Sequence, residues 1–248
     1  MKTFLKLLLS LALSGGMLSS ITVFPQDLST IDSIRYLEKR YGNLTIEGKA
    51  PLIFAFHYMG STPSGFYKIF SDIDFPVKVV YVAGEYEFEN GYSFYPVEYY
   101  DEMNEKEKAL CQAKTVEKIN RFITEYKKRV NNNSPSIVIG VSQGGDLSYL
   151  LALNYSDQFV LSVPIAASIQ KEAIKAVDFN NNNQHIFPFH GTIDKIVPIS
   201  EARETCEFIK TLGFNVNLIE FENKGHEVSI EMKEKYKSLI KECILLSN

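Results

Sequence analysis

Three side chains of the types that together make a hydroxyl reactive lie far apart in this chain: Ser142, Asp194 and His226. Ser142 sits in Gly140-Val141-Ser142-Gln143-Gly144-Gly145, a G-x-S-x-G pattern. That spacing suits an abrupt turn from strand to helix, which leaves the serine strained and its hydroxyl exposed. Side chains two positions before and after the serine would collide in such a turn, and glycine has none. At this length the pattern alone turns up by chance in about one chain in twelve, so its setting decides. The β-branched run Ile137-Val138-Ile139 precedes it and Leu147, Leu150, Leu151 and Leu153 follow, which is the strand–turn–helix context the motif needs.

A serine hydroxyl becomes nucleophilic when a base takes its proton, and that base must be held in one tautomer by a third group. His226, in Lys224-Gly225-His226-Glu227 just past the last apolar run, is the expected base. His185 and His190 begin and end an extended run and read as packed or surface imidazoles. Asp194 lies in His190-Gly191-Thr192-Ile193-Asp194-Lys195-Ile196-Val197-Pro198, beyond a strand and between Ser142 and His226, in the order nucleophile, acid, base. Asp178 is the rival, but it precedes an asparagine run on a helical stretch. Two N–H groups should stabilise the oxyanion. One is that of Gln143, whose amide opens a helix, and the other that of Met59, in His57-Tyr58-Met59-Gly60-Ser61.

These residues need elements to carry them. Apolar runs at 52–58, 77–82, 137–141, 160–165, 185–189 and 216–221 predict strands buried on both faces, with edge strands at 34–41 and 44–46. Three- and four-residue spacing predicts helices over 104–130, 143–154, 200–212 and 228–240, the first capped by Asn104 and Glu107 and the third closed by Gly213. Strands alternating with helices make a mostly parallel central sheet covered on both faces. Ligands of such sheets sit outside the carboxyl ends of the strands, where Ser142, Asp194 and His226 all fall.

Four stretches resemble the phospholipase/carboxylesterase group of the α/β-hydrolases, which includes acyl-protein thioesterases and related bacterial esterases. They are the Gly140–Gly145 elbow, the His190–Pro198 acid loop, Gly225-His226 and the Phe56-His57-Tyr58-Met59-Gly60 oxyanion loop. The resemblance spans 52 to the end and implies an α/β-hydrolase fold without a large cap, an acyl-enzyme on Ser142, and a small-molecule or exposed ester as substrate. It departs where Tyr58 stands in place of the family's glycine, which implies a residue that narrows the acyl site or stacks on substrate. The segment 84–100 is rich in tyrosine and phenylalanine. It either offers Tyr92 and Phe94 to a substrate or packs itself onto the domain. The alternatives to an esterase are a peptidase of the same fold and a non-catalytic hydrolase-fold binding protein.

Composition bounds these readings. With 248 residues, 45% hydrophobic and 23% charged, the chain suits one globular domain over 21–248. A net charge of −4 gives no electrostatic reason to bind nucleic acid. Lys2 and Lys6, the apolar run 7–13 and the small residues that follow read as a secretory signal over 1–20, so the mature protein is expected to be exported without a membrane anchor. Three widely spaced cysteines make neither a zinc site nor a disulfide framework, although a single bridge stays open in an oxidising compartment. The expected mechanism needs no metal and no cofactor.

Overall fold

The structure is a computed structural model that describes residues 28–42, 50–70, 73–175 and 184–246. The leader at 1–20, the edge strand expected at 44–46, Asp178 and the asparagine run lie outside these residues. A nine-stranded sheet runs through the described residues in the order β1-β2-β4-β3-β7-β8-β10-β11, with β9 also paired to β8. Its strands are β1 (Ser29–Ile31), β2 (Ile34–Tyr41), β3 (Leu52–Phe56), β4 (Val77–Val82), β7 (Ser136–Val141), β8 (Phe159–Ile165), β9 (His185–Ile186), β10 (Phe189–Gly191) and β11 (Ile219–Phe221). The β1–β2 and β2–β4 pairings are antiparallel and the rest are parallel. A separate hairpin joins β5 (Tyr86–Phe88) to β6 (Gly91–Ser93).

Side chains alternate across the central strands with period two. Phe54, Phe56, Val80, Val82 and Val138 face one layer, formed by α1 (Glu105–Arg129), α2 (Gln143–Asn154) and α3 (Ile199–Thr211). Ile53, Ala55, Val79, Tyr81, Ile137 and Ile139 face the other, where α4 (Ile230–Leu246) inserts Met232, Tyr236 and Ile240. Helix α2 is buried nearly all round, from Leu147 through Leu153, as expected of a helix enclosed between a sheet and its neighbours.

Two expected strands are interrupted, for one reason. Pro188 has no N–H to donate, and the predicted run 185–189 divides there into β9 and β10. Its neighbour divides with it: Val216 bridges Ile186, and only Ile219–Phe221 continues as strand beside β10. Helix α4 starts later than expected, where the Ser229 hydroxyl accepts the Met232 N–H. It runs on because Ile240 and Ile244 are buried under the sheet. The segment after Ser168 holds one described helical turn, Lys171–Ala173. Among the described residues, Cys111, Cys206 and Cys243 form no disulfide.

The Asn104 cap is closed in both directions: the Glu107 N–H donates to the Asn104 side chain at 3.1 Å, and the Asn104 N–H donates to Glu107 at 2.9 Å. Replacing Asn104 by alanine is expected to cost about 1 kcal/mol. Thermal unfolding followed by circular dichroism should then show Tm lowered by about 2–4 °C.

Candidate active site

β7 ends against α2 in a turn with no room for side chains. A Cβ on Gly140 would collide with the Gly144 carbonyl, and one on Gly144 with the Phe56 carbonyl at the end of β3. Packed this closely, the chain carries Ser142 at φ 55°, ψ −120°, a backbone region that non-glycine residues rarely enter. The turn is tied to the sheet by the Ser142 N–H, which donates to Ile165 at 2.9 Å. A strained serine at a strand end, with a helix N-terminus behind it, is what the G-x-S-x-G spacing requires.

Asp194 and His226, the expected acid and base, arrive on two adjacent loops stitched together. After β10, the Ile193 N–H donates to the Lys224 carbonyl at 3.0 Å, and the Asn223 N–H donates to the Thr192 hydroxyl at 3.0 Å. Gly191 lies so close to the Lys224 carbonyl that a Cβ there would clash. These contacts bring His226 Nδ1 to 2.8 Å from Asp194 Oδ2. The other carboxylate oxygen accepts the Ile196 and Val197 N–H groups at 2.8 and 3.0 Å.

Burial alone would raise the Asp194 carboxyl. Hydrogen bonds from His190, His226 and the Ile196 N–H outweigh it and hold the group well below the usual carboxylate range. An ionised Asp194 can only accept, so His226 Nδ1 carries a proton, and with the ring neutral Nε2 presents its lone pair. Among the described residues, that Nε2 is buried with no hydrogen-bond partner. Among the described residues the Ser142 hydroxyl does not bond to it, and catalytic hydrogen bonds often form only when a substrate tightens the site.

His190 was passed over in the sequence as a packed imidazole, and it is buried, but beside the acid. Its Nε2 lies 2.8 Å from the Val197 carbonyl and 3.4 Å from Asp194 Oδ2. Since a carbonyl only accepts, this nitrogen is a donor aimed at both oxygens. The four-residue spacing of His190 and Asp194 at a strand end was the available signal.

The loop expected to supply an oxyanion N–H, at Met59, is held by a second buried histidine. His57 accepts the Gly84 N–H on Nε2 at 3.0 Å and must donate from Nδ1 to the Tyr58 carbonyl at 2.7 Å. Burial lowers this imidazole to about 4, against the raising effect of the bond to Tyr58. In a trans peptide C=O and N–H point opposite ways, so the Met59 N–H faces away from His57. Among the described residues, no backbone group takes the N–H of Met59 or of Gln143.

Met59, Ser142, Gln143 and Asp146 line one cleft together with Ile196 and Val197 from the acid loop, a cavity of about 210 Å³. Tyr58, Tyr92 and Phe94, the expected substrate contacts, do not line it. Phe94 is 1% exposed, its ring 4.7 Å from that of His57 and edge-on to Phe56, so it supports the oxyanion loop from beneath. Tyr92 lies under the Arg35 guanidinium at 4.2 Å. Tyr58 is exposed and edge-on to Phe66. Sequence reasoning missed the reason this segment folds inward. The Gln143 side chain accepts the Phe94 N–H at 3.0 Å and donates to the Ser93 and Tyr100 hydroxyls, fastening residues 93–100 to the elbow. Among the described residues, no group of three or more His, Cys, Asp or Glu could hold a metal ion, and no helix is long and apolar enough to cross a membrane.

The sequence profile of the Phospholipase/Carboxylesterase family matches residues 46–244. Among solved structures, a carboxylesterase from Mesorhizobium loti superposes with a TM-score of 0.71 at 16% identity, over 86% of this chain and 97% of its own. The Bacillus cereus carboxylesterase gives 0.69 at 17%, over 85% and 94%. Esterase PE8 gives 0.70 at 16%, over 83% and 99%. At these identities the superpositions establish a shared α/β-hydrolase fold.

Because the Asp194 carboxyl is held low, its stabilisation is fully present above the unfolded value of about 3.9 and is lost as pH falls through the folded value. Between about pH 5 and pH 3, Tm of the wild type should therefore fall more steeply than that of Asp194→Asn. Equal slopes would show that the carboxylate is not held by these hydrogen bonds.

Proposed function

Since this chain belongs to the phospholipase/carboxylesterase family of α/β-hydrolases, we propose that it hydrolyses carboxylic esters through an acyl-enzyme on Ser142. The observation that carries the reading is the state of His226: Nδ1 is tied to an ionised Asp194, and Nε2 is buried with no partner. A buried nitrogen lone pair left unmatched is costly and suits a base awaiting a hydroxyl proton.

In this mechanism Ser142 Oγ attacks the ester carbonyl carbon as His226 Nε2 takes its proton. The oxyanion forms between the Met59 and Gln143 N–H groups, the latter at a helix N-terminus whose partial positive charge favours it. The tetrahedral intermediate collapses as His226 returns the proton to the departing alcohol. Water then attacks the acyl-enzyme, losing its proton to His226, and the acid leaves with Ser142 restored. Asp194 stays ionised throughout and stabilises the imidazolium. His190 and His57 act as positioning residues for the acid and the oxyanion loop. No cofactor enters any step, and the partner is a small or exposed ester. The leader-like residues 1–20 support export of the mature domain.

The wild type should be labelled by a fluorophosphonate and should hydrolyse p-nitrophenyl acetate or butyrate, both lost in Ser142→Ala. Asp194→Asn should lower kcat by roughly 10³–10⁴-fold, because the tautomer is no longer set. Labelling that survives Ser142→Ala would refute the assignment, and cleavage of an aminoacyl-nitroanilide without ester turnover would make the protein a peptidase. Amino-terminal sequencing of the protein from cells that make it should begin near residue 21; retention of Met1 would refute removal of a leader.

A further inference from the structure

The cleft beside Ser142 holds a titratable group that ester cleavage leaves unused. Asp146 stands one turn along α2 from the serine, where its N–H donates to the Ser142 carbonyl at 3.0 Å. Asp146 lines the cleft. Among the described residues, no lysine or arginine offsets its charge. Lys108, also in the lining, is engaged with Glu105 at 3.1 Å. Burial pushes the Asp146 carboxyl well above its ordinary value, against hydrogen bonds from the Ser168 N–H and its own amide and with Glu201 adding to the rise. Such a group keeps its proton to higher pH, so it can donate as well as accept.

The polar groups around it are largely committed to one another. Gln112 donates to the Tyr99 hydroxyl at 2.9 Å and accepts the Gln170 N–H at 3.0 Å, while Tyr100 is held by Gln143. They shape the wall, and a carboxyl that takes two backbone N–H groups has lone pairs left to bond. The cavity, at about 210 Å³, is smaller than the roughly 300 Å³ at the lower end for drug-sized ligands. A plain alkyl group seated there would take water from the carboxyl and return nothing. Sites built to bond a substrate hydroxyl reject the analogue lacking it far more strongly than apolar pockets reject an added one.

We propose that this cleft receives a small hydroxyl-bearing group of the ester, a polyol or hydroxy-acid moiety, and that Asp146 selects it by hydrogen-bonding a substrate hydroxyl. The inference rests on Ser142 being the nucleophile of an ester hydrolase. Asp146 is then a specificity-determining residue outside the triad.

The test measures kcat/KM on two matched pairs: glycerol 1-acetate against propyl acetate, and ethyl 3-hydroxybutyrate against ethyl butyrate. Fluorophosphonate labelling is run on the same enzyme. In at least one pair the hydroxylated ester should be favoured by about tenfold or more. Asp146→Ala should lower that ratio about tenfold, and Asp146→Asn, which both donates and accepts, should hold it within about threefold of wild type. Pairs within about threefold of each other in the wild type would overturn the inference. So would a ratio unchanged in Asp146→Ala, with both esters losing rate in step. Should the alanine variant fail to fold, the wild-type ratios decide alone. Enzyme that is labelled yet cleaves none of the four esters overturns this inference only; enzyme that is neither labelled nor active overturns the ester reading as well.

Discussion

Where Gly144 passes the end of β3, the Phe56 carbonyl leaves space for a hydrogen atom and nothing larger. The rest of the site depends on this contact. It lets α2 begin directly against the sheet, and the price is a serine at φ 55°, a strain of order 1–3 kcal/mol. The offset comes from α2 itself, whose leucines are fully buried between the sheet and α1. Because the helix starts at the strand end, the Gln143 amide lies beside the serine with no carbonyl of its own to bond.

The acid and base depend on a different constraint. Asp194 and His226 follow neighbouring parallel strands, β10 and β11, whose register sets Gly191 opposite Phe221. A missing side chain at Gly191 lets the two loops touch, and backbone hydrogen bonds then lock them. Asp194 is left with two imidazoles and two amides around one carboxylate. Such saturation keeps it ionised although its side chain is shielded from water.

Gln143 links the two halves of the site. Its backbone serves the elbow, and its side chain recruits the stretch from Ser93 to Tyr100 into the protein. That stretch in turn supports the oxyanion loop: Phe94 packs on His57, and Tyr92 and Ser61 bridge backbone to backbone. Aromatic composition was ambiguous between a substrate-facing surface and a self-packed segment. Phe94 packs inward because Gln143 satisfies polar groups that would otherwise be buried unpaired, while Tyr99 and Tyr100 of the same stretch line the cleft.

Local rules were enough to read much of this protein from its residues. Continuous apolar runs located β3, β4, β7 and β8, and helical spacing with the Asn104–Glu107 pair located α1 almost to the residue. The elbow was equally legible, since Gly140 answers a steric demand from Gly144 four residues on, although what Gly144 itself must clear is the Phe56 carbonyl of a distant strand. Outside those reaches sequence was silent. That Pro188 would split two strands rather than one depended on which strand lies beside it. That His190 faces Asp194, that Phe94 lies beneath the oxyanion loop, and that Asp146 opens into the cleft depended on packing between segments far apart in the chain. Periodicity reports which face of an element is buried, but the partner against which it is buried is chosen only when the whole sheet closes its two layers.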